Sequence, residues 1–329
     1  MEQQSDEFSE KLLEKGILTE PQLKEIKDYK ALNIFSLHNE LNTLLYLSVL
    51  LFTSGIGIII YNNIDSIGHE AILSLLFVLT VVGYYFCYKK SVGFQNAQTY
   101  FESPFLNYLV LLCTILSCII LGYFQYQYHV LGYNWSTLLG CILSFFCAYY
   151  FDNKSALSIG ITGLATFVGI TINPKTLIDN EIYSNPMLSY YGLVLGILFL
   201  VWSDYANKIN LKRHFSMVYL TFALHLISIC CIAGLLEDYW ILFVFLQGII
   251  TLYFYKISYK NNSVSLFGFT LIYGFIGLNI FLSRIAQYID FSIFEPLLIM
   301  IAPMYFIGAI IGFILLIKQF NKKKNDSSK

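Results

Sequence analysis

Long apolar stretches alternate with short polar loops along the chain. A helix that crosses a bilayer needs about 20 mainly apolar residues, because each residue adds about 1.5 Å to its length. Ten stretches meet this requirement, and charged residues occur only at their ends. The pattern therefore predicts an all-α, polytopic membrane helix bundle of about ten transmembrane helices. The predicted spans are 42–61, 69–88, 105–124, 135–151, 155–172, 187–203, 214–235, 239–256, 263–283 and 296–317.

The same pattern divides the chain into three parts. Residues 1–41 are polar and predict a short helical hairpin, in which one helix ends at Gly16 and a second begins with Thr19 as its N-cap. Residues 42–317 form the predicted transmembrane domain. Residues 318–329 form a Lys-rich tail, whose lysines favour contact with anionic lipid.

Two features concern how the predicted spans pack. The first five spans, 42–172, and the last five, 187–317, cover equal lengths, as an inverted 5+5 repeat would require. No residue-by-residue similarity between the halves supports such a repeat, and the equal lengths also fit coincidence. Glycines spaced four residues apart let helix backbones approach closely. Such pairs predict close helix packing at Gly192 and Gly196, and at Gly308 and Gly312.

Basic residues distinguish the two sides of the predicted bundle. An even number of crossings places both termini on one side. Of the 20 Lys and Arg, all but Lys175 and Arg284 fall on that side. Because cytoplasmic loops of membrane proteins are enriched in Lys and Arg, we expect both termini to be cytoplasmic.

Composition and motifs exclude several classes of protein. The chain is 57% hydrophobic and only 12% charged, which excludes an ordinary soluble domain. All seven cysteines fall within predicted spans, so neither a disulfide framework nor a zinc site is expected. No motif of a hydrolase, metalloprotease or nucleotide-binding enzyme occurs. We therefore expect no enzyme activity, no metal, no cofactor and no nucleic-acid partner. The lipid bilayer is the expected partner.

Candidate chemistry lies inside the predicted membrane domain, where polar residues are costly and often functional. His225 lies midway along the seventh span. A short loop leads back into the eighth span and places Gln247 at nearly the same depth. Neighbouring polar residues on these two spans and on the ninth complete the set. The predicted intramembrane polar cluster comprises His225, Gln247, Thr221, Ser228, Thr251 and Tyr273.

Three interpretations of this cluster stay open from the sequence. His225 could titrate in a proton-coupled site, since histidine changes charge near neutral pH. The cluster could instead line a pocket for a polar substrate. The structural interpretation is a hydrogen bond between His225 and Gln247 that contributes roughly 0.6–2 kcal/mol to helix packing. Charged partners are absent from the spans at this depth, which argues against an ion pump.

One group of bacterial proteins resembles the beginning of the chain. The residues concerned are the run KLLEKGILTEPQ at 11–22, a Tyr-containing helix after it, Gly55 and Gly57 in the first span, and NNID at 62–65. They resemble the polytopic membrane proteins of domain-of-unknown-function family 2157, over about residues 8–90. The resemblance implies a bacterial inner-membrane location. It implies no known activity, so it assigns no catalytic residue.

The sequence thus predicts an integral inner-membrane protein, and we expect transport of a small solute, with His225 and Gln247 lining its path. The alternative is a structural or assembly subunit that docks a protein partner through the hairpin of residues 1–41. Nothing in the sequence identifies the substrate or the partner.

Overall fold

The computed structural model describes residues 19–23, 38–172, 186–287 and 295–327. In this part of the chain the regular structure is helical. A short 3-10 turn, Arg213–Phe215, directly precedes the helix that begins at Ser216. The long helices are α1 (His38–Ile67), α2 (His69–Lys90), α3 (Pro104–Tyr128), α4 (Tyr133–Phe151), α5 (Lys154–Ile172), α6 (Pro186–Lys208), α7 (Ser216–Gly234), α8 (Trp240–Lys260), α9 (Val264–Ala286) and α10 (Glu295–Ser327).

Each predicted span corresponds to one of these helices, and the ends agree to within six residues except that α10 continues ten residues past its predicted end. Among the described residues, nine helices are long and apolar enough to cross a membrane, and α4 is the exception. The first turns of α4 contain Asn134, Ser136 and Thr137, which lower its mean hydropathy. Ser136 Oγ donates to the carbonyl of Leu121 on α3 at 3.0 Å, so this polar group is satisfied within the protein. The helical bundle is confirmed, and the tenth crossing stays a prediction.

The helices α4 and α5 form an antiparallel hairpin. Asn153 lies in the turn, and its side chain accepts a hydrogen bond from the backbone N–H of Ala156 at 2.9 Å, which caps the start of α5. Further from the turn, Cys141 Sγ donates to the carbonyl of Gly160 at 3.3 Å. A Cβ added at Gly160 would lie 3.2 Å from the ring of Phe145. The two helices therefore stay in contact well beyond the turn.

The centre of the bundle is α7. Its nine buried residues lie along one broad face that covers about half of its circumference, whereas Ile229 on the opposite face is half exposed. It packs against α5, α6, α8 and α9. Leu224 and Ile227 are almost completely buried there. Of its polar residues, Ser228 is buried, and Thr221 and His225 are partly buried.

The two predicted glycine pairs differ in their surroundings. A Cβ at Gly192 would lie 2.5 Å from Cys230 Sγ, and a Cβ at Gly196 would lie 2.4 Å from Ile227 Cγ1. These glycines thus let α6 and α7 approach closely. No described atom lies within 4 Å of a Cβ built at Gly308 or Gly312. For that second pair the described residues show no close packing, and the expectation stays a prediction.

The structure divides into two units, Met1–Ser54 and Gly55–Lys329. The predicted hairpin of residues 1–41 lies largely outside the described residues. Where it is described, the backbone N–H and the hydroxyl of Thr19 both donate to Gln22 Oε1, at 3.0 and 2.9 Å. Gln22 thus forms its half of the expected reciprocal cap, whereas the Thr19 hydroxyl donates to the same oxygen, and the hairpin itself stays a prediction.

The Lys-rich tail and Arg284 both lie at helix ends. Helix α10 continues to Ser327, so most of the Lys-rich tail extends a helix instead of forming a separate segment. Arg284, at the end of α9, donates from Nε to the carbonyl of Leu235 at 3.0 Å and from its terminal nitrogen to the carbonyl of Leu236. Its positive charge therefore caps the C-terminal end of α7, where carbonyl groups lack helical partners.

Replacement of Gly196 by alanine tests the α6–α7 contact. We expect Gly196→Ala to destabilise the protein by about 1–3 kcal/mol, because the added methyl group would overlap Ile227. Thermal unfolding in detergent micelles measures the change. Gly308→Ala is the matched control, and we expect no loss of stability since that position is open. Equal melting temperatures for the two variants would contradict this packing.

Candidate functional site

The predicted intramembrane residues lie on three neighbouring helices. Thr221, His225 and Ser228 lie on α7, Gln247 and Thr251 lie on α8, and Tyr273 lies on α9. Both α8 and α9 pack against α7 and against each other. The structure therefore brings these three helix faces together in the interior of the bundle.

Tyr273 joins the other two helices. Its hydroxyl lies 2.8 Å from Nδ1 of His225, and its backbone carbonyl accepts a hydrogen bond from Nε2 of Gln247 at 3.2 Å. The His225 ring also meets the ring of Phe269 edge to face, with 4.6 Å between centroids. The expected bond between His225 and Gln247 is wrong, because each residue bonds Tyr273 instead. We call His225, Gln247 and Tyr273 the Tyr273 cluster.

The predicted threonines do not join this cluster through hydrogen bonds. The hydroxyl of Thr221 donates to the carbonyl of Met217, and that of Thr251 donates to the carbonyl of Gln247, each one turn earlier on its own helix. Such back-bonding satisfies a hydroxyl in an apolar environment. Ser228 is buried on α7. The chemistry of the site therefore rests on an imidazole, an amide and a phenol.

One polar atom of the Tyr273 cluster is unsatisfied. Gln247 is 5% exposed, and its Oε1 has no hydrogen-bond partner among the described residues. The amide nitrogen must face the Tyr273 carbonyl, since a carbonyl only accepts, so Oε1 points elsewhere. A Cβ at Gly277 would lie 2.9 Å from Gln247 Cγ, so this glycine makes room for the side chain. A buried acceptor without a donor costs about 1–3 kcal/mol, and it attracts any donor that reaches it.

A second polar site lies where three loops meet, and sequence analysis missed it. Asp152 ends α4 and has a completely buried carboxylate. Its Oδ2 accepts hydrogen bonds from the backbone N–H of Thr99 at 2.6 Å and from the Thr99 hydroxyl at 3.2 Å. The same oxygen lies 3.3 Å from Nζ of Lys212, and Oδ1 bonds Nε2 of His214. We call Asp152, Thr99, Lys212 and His214 the Asp152 cluster.

Lys212 is the unusual member of this second site. Its side chain is fully buried, and Nζ lies 5.5 Å from the ring centroid of Phe94 and 6.0 Å from that of Phe215. Rings at these distances stabilise a cation. The backbone N–H of Lys212 donates to the carbonyl of Asn96 at 2.9 Å. Its ammonium group has no partner with hydrogen-bond geometry among the described residues, so Asp152 balances its charge by proximity.

Helix periodicity could not reveal the Asp152 cluster. In the sequence, Lys212 is one of many basic residues outside the predicted spans, and Asp152 falls between the fourth and fifth spans. The cluster forms because loops that are distant in the chain meet at one end of the bundle. A pattern within one helix contains no information about such a meeting.

A groove of about 660 Å³ lies between α2 and α3. Glu70 and Tyr128 line it, together with apolar residues that include Phe77 and Phe124. None of its lining residues belongs to either cluster. The groove is therefore a separate feature of the bundle, and its apolar walls suit lipid chains.

The cysteines do not form a further site. All seven lie in described helices, and all are free thiols. Within the described residues, no group of three or more His, Cys, Asp and Glu side chains is arranged to hold a metal ion. Their burial agrees with use as small packing residues.

Removal of the Tyr273 hydroxyl tests whether the bond to His225 contributes to packing. We expect Tyr273→Phe to lower the free energy of unfolding by about 0.6–2 kcal/mol, the range for such bonds between membrane helices. Tyr305→Phe on α10 is the control, because the half-exposed Tyr305 ring stacks on Phe275 and would keep that contact. Denaturant titration in micelles measures both variants. Equal stability of the two would show that the bond contributes nothing.

Comparison with known proteins gives one match. Residues 10–157 match the family model described as "Predicted membrane protein (DUF2157)". Searches of the curated proteins and of the solved structures found no significant match. The matched segment extends past residues 8–90, where the sequence resemblance was clearest, and includes Asp152 but not the Tyr273 cluster. The resemblance seen in the sequence is thereby confirmed, because residues 10–157 are similar to the DUF2157 family of predicted membrane proteins.

Proposed function

We propose that this protein is a bacterial inner-membrane transporter for a small neutral solute, with ten crossings and both termini in the cytoplasm. The observation on which this rests is the unpartnered, buried Oε1 of Gln247 in the Tyr273 cluster. A buried acceptor in apolar surroundings favours a ligand that supplies an N–H or O–H group. A solute with such a group could bind between α7, α8 and α9.

The surroundings of the cluster favour a neutral solute. The described parts of α7, α8 and α9 contain no Asp, Glu, Lys or Arg at this depth. An ion would lack a counter-charge there, and an unpaired charge inside a membrane is costly. His225 and Tyr273 offer hydrogen bonds without a permanent charge.

The antiparallel α4–α5 hairpin supports ten crossings. Because α4 stays in contact with α5 far from their turn, a membrane that α5 spans would also surround α4. Polar groups of α4 bond protein atoms, which makes its lower mean hydropathy tolerable in lipid. Arg284, one of the two basic residues on the predicted outer side, caps α7. The contact with the end of α7 explains why Arg284 lies on the side where few basic residues are expected.

The alternative function is a structural or assembly subunit that docks a partner through residues 1–41. Its docking element lies largely outside the described residues. That alternative therefore stays a prediction from the sequence.

Cysteine labelling tests the sidedness and the crossing of α4 together. We expect Val130→Cys, in the exposed loop before α4, to react with an impermeant maleimide only from the periplasmic face. We expect Lys154→Cys, at the exposed start of α5, to react only from the cytoplasmic face. The buried native cysteines provide a low background. Labelling of both positions from one face would show that α4 does not cross.

A swelling assay on proteoliposomes tests the proposed transport. With urea and glycerol as neutral donor probes, we expect faster swelling than in protein-free liposomes, and no acceleration with sodium lactate. Gln247→Met keeps the side-chain length but removes the acceptor. We expect it to slow solute entry about tenfold, which corresponds to roughly 1.4 kcal/mol of lost hydrogen bonding.

Thr166→Val is the control for this assay. Its hydroxyl donates only to the carbonyl of Thr162 on the same helix, α5, so its removal should leave solute entry unchanged. Entry rates that match protein-free liposomes for both neutral probes would contradict the proposed solute class. Unchanged entry in Gln247→Met would contradict the proposed site.

A further inference from the structure

The Asp152 cluster joins three segments that are separate in the chain. Thr99 belongs to the loop between α2 and α3, and Asp152 belongs to the turn between α4 and α5. Lys212 belongs to residues 209–215 between α6 and α7, which we call the Lys212 segment. Asp152 bonds the other two segments directly, and the Lys212 backbone also bonds Asn96. One carboxylate thus fixes the position of two loops.

Burial of the Asp152–Lys212 ion pair costs free energy, and hydration of the two ions would recover it. Removing a carboxylate and an ammonium from water costs several kcal/mol for each ion. Lysines near a membrane surface normally extend their amines into water. Lys208 at the end of α6 and Arg213 next to Lys212 are exposed, whereas the Lys212 side chain is completely buried. A hydrated position for Lys212 is therefore close by.

Asp152 and Lys212 are two of five described non-glycine residues with a positive φ, the others being His129, Asn210 and Asn262. Asp152 has φ 58° and Lys212 has φ 45°, so both adopt the left-handed conformation that residues other than glycine disfavour. The conformation costs roughly 1–2 kcal/mol per residue. Asp152 adopts it as the C-cap of α4, with its backbone N–H bonded to the carbonyl of Ala148, whereas Lys212 adopts it within the cluster. Release of the Lys212 segment would let the Lys212 backbone relax and would restore the hydration of the ions.

The Lys212 segment leads directly into the central helix. It ends at Phe215, and Ser216 begins α7. Ser216 Oγ lies 2.7 Å from Ser203 Oγ and accepts a hydrogen bond from Asn207 at 2.9 Å, both on α6. His225 lies eleven positions after His214, which corresponds to about three helical turns. A displacement at Lys212 would therefore act on the helix that contains His225.

We propose that the Asp152 cluster is a two-state latch on the Lys212 segment. In the closed state Lys212 and His214 pair with Asp152, as the structure shows. In the open state residues 209–215 withdraw from Asp152 and the Lys212 amine reaches water. Opening frees the start of α7. Its use to regulate the Tyr273 cluster rests on the proposed transport function, whereas the opening itself does not.

Trypsin cleavage of the full-length protein in micelles tests the latch. Arg213 is exposed, but its neighbours are held by the bonds from Lys212 N to Asn96 and from Phe215 N to Lys212. Cleavage after Arg213 thus requires the segment to open, and its rate follows the open population. We expect Asp152→Asn to raise this rate on the order of tenfold or more, because it leaves Lys212 buried without a counter-charge.

The double variant Asp152→Asn with Lys212→Met separates a latch from a permanent anchor. The asparagine oxygen can still accept from Thr99, and methionine can pack between the rings of Phe94 and Phe215. With no ion to hydrate, the closed state should persist, so cleavage after Arg213 should fall to the wild-type rate or below it. A rate as high as that of Asp152→Asn alone would overturn the proposal.

Two controls complete the experiment. Lys208→Met removes an exposed charge from the end of α6 and should leave cleavage after Arg213 unchanged. Gly196→Ala weakens the packing of the whole bundle, and it should change this cleavage little if opening is local. Wild-type cleavage that occurs only with global unfolding, and so rises with Gly196→Ala, would also overturn the latch. Solute entry into proteoliposomes separately reports whether transport exists, so the two proposals can fail independently.

Discussion

A polar group in the hydrocarbon core of a membrane must find its partner within the protein, and this constraint shapes the whole bundle. Most hydroxyls in the described helices meet it locally, by donating to a carbonyl one turn earlier on the same helix. Thr80, Thr114, Ser144 and Thr270 all do so. Such residues need no neighbouring helix, which is why many polar positions in the spans contribute nothing to a site.

The exceptions are side chains too long or too polar for this local solution. His225 and Gln247 reach across to Tyr273, and they thereby tie α7 to α8 and α9. The amide of Gln247 illustrates the limit of this arrangement, since its nitrogen is satisfied and its oxygen is not. At the end of the bundle Asp152 meets the same requirement with several donors at once.

The sequence was sufficient to predict the helices, because they follow from the apolar pattern along one segment. Gln247 and His225 do lie on adjacent helices, but Tyr273 as their shared partner depends on helix rotation, which hydropathy does not report. The glycine pairs that begin at Gly192 and Gly308 also depend on how the helices are rotated. Both have the spacing for close packing, and only the first has a described helix against it. Asp152 and Lys212 were beyond reach, since their contact depends on how loops meet.

The cap that Arg284 forms on α7 bears on how basic residues are weighed in membrane proteins. Its guanidinium donates to two main-chain carbonyls at the negative end of a helix dipole. A cation held in this way is partly neutralised by the peptide groups it contacts, so it presents a weaker field to the lipid headgroups. Two arginines that look equivalent in a hydropathy plot can therefore differ in their influence on membrane insertion, according to whether a helix end lies within reach.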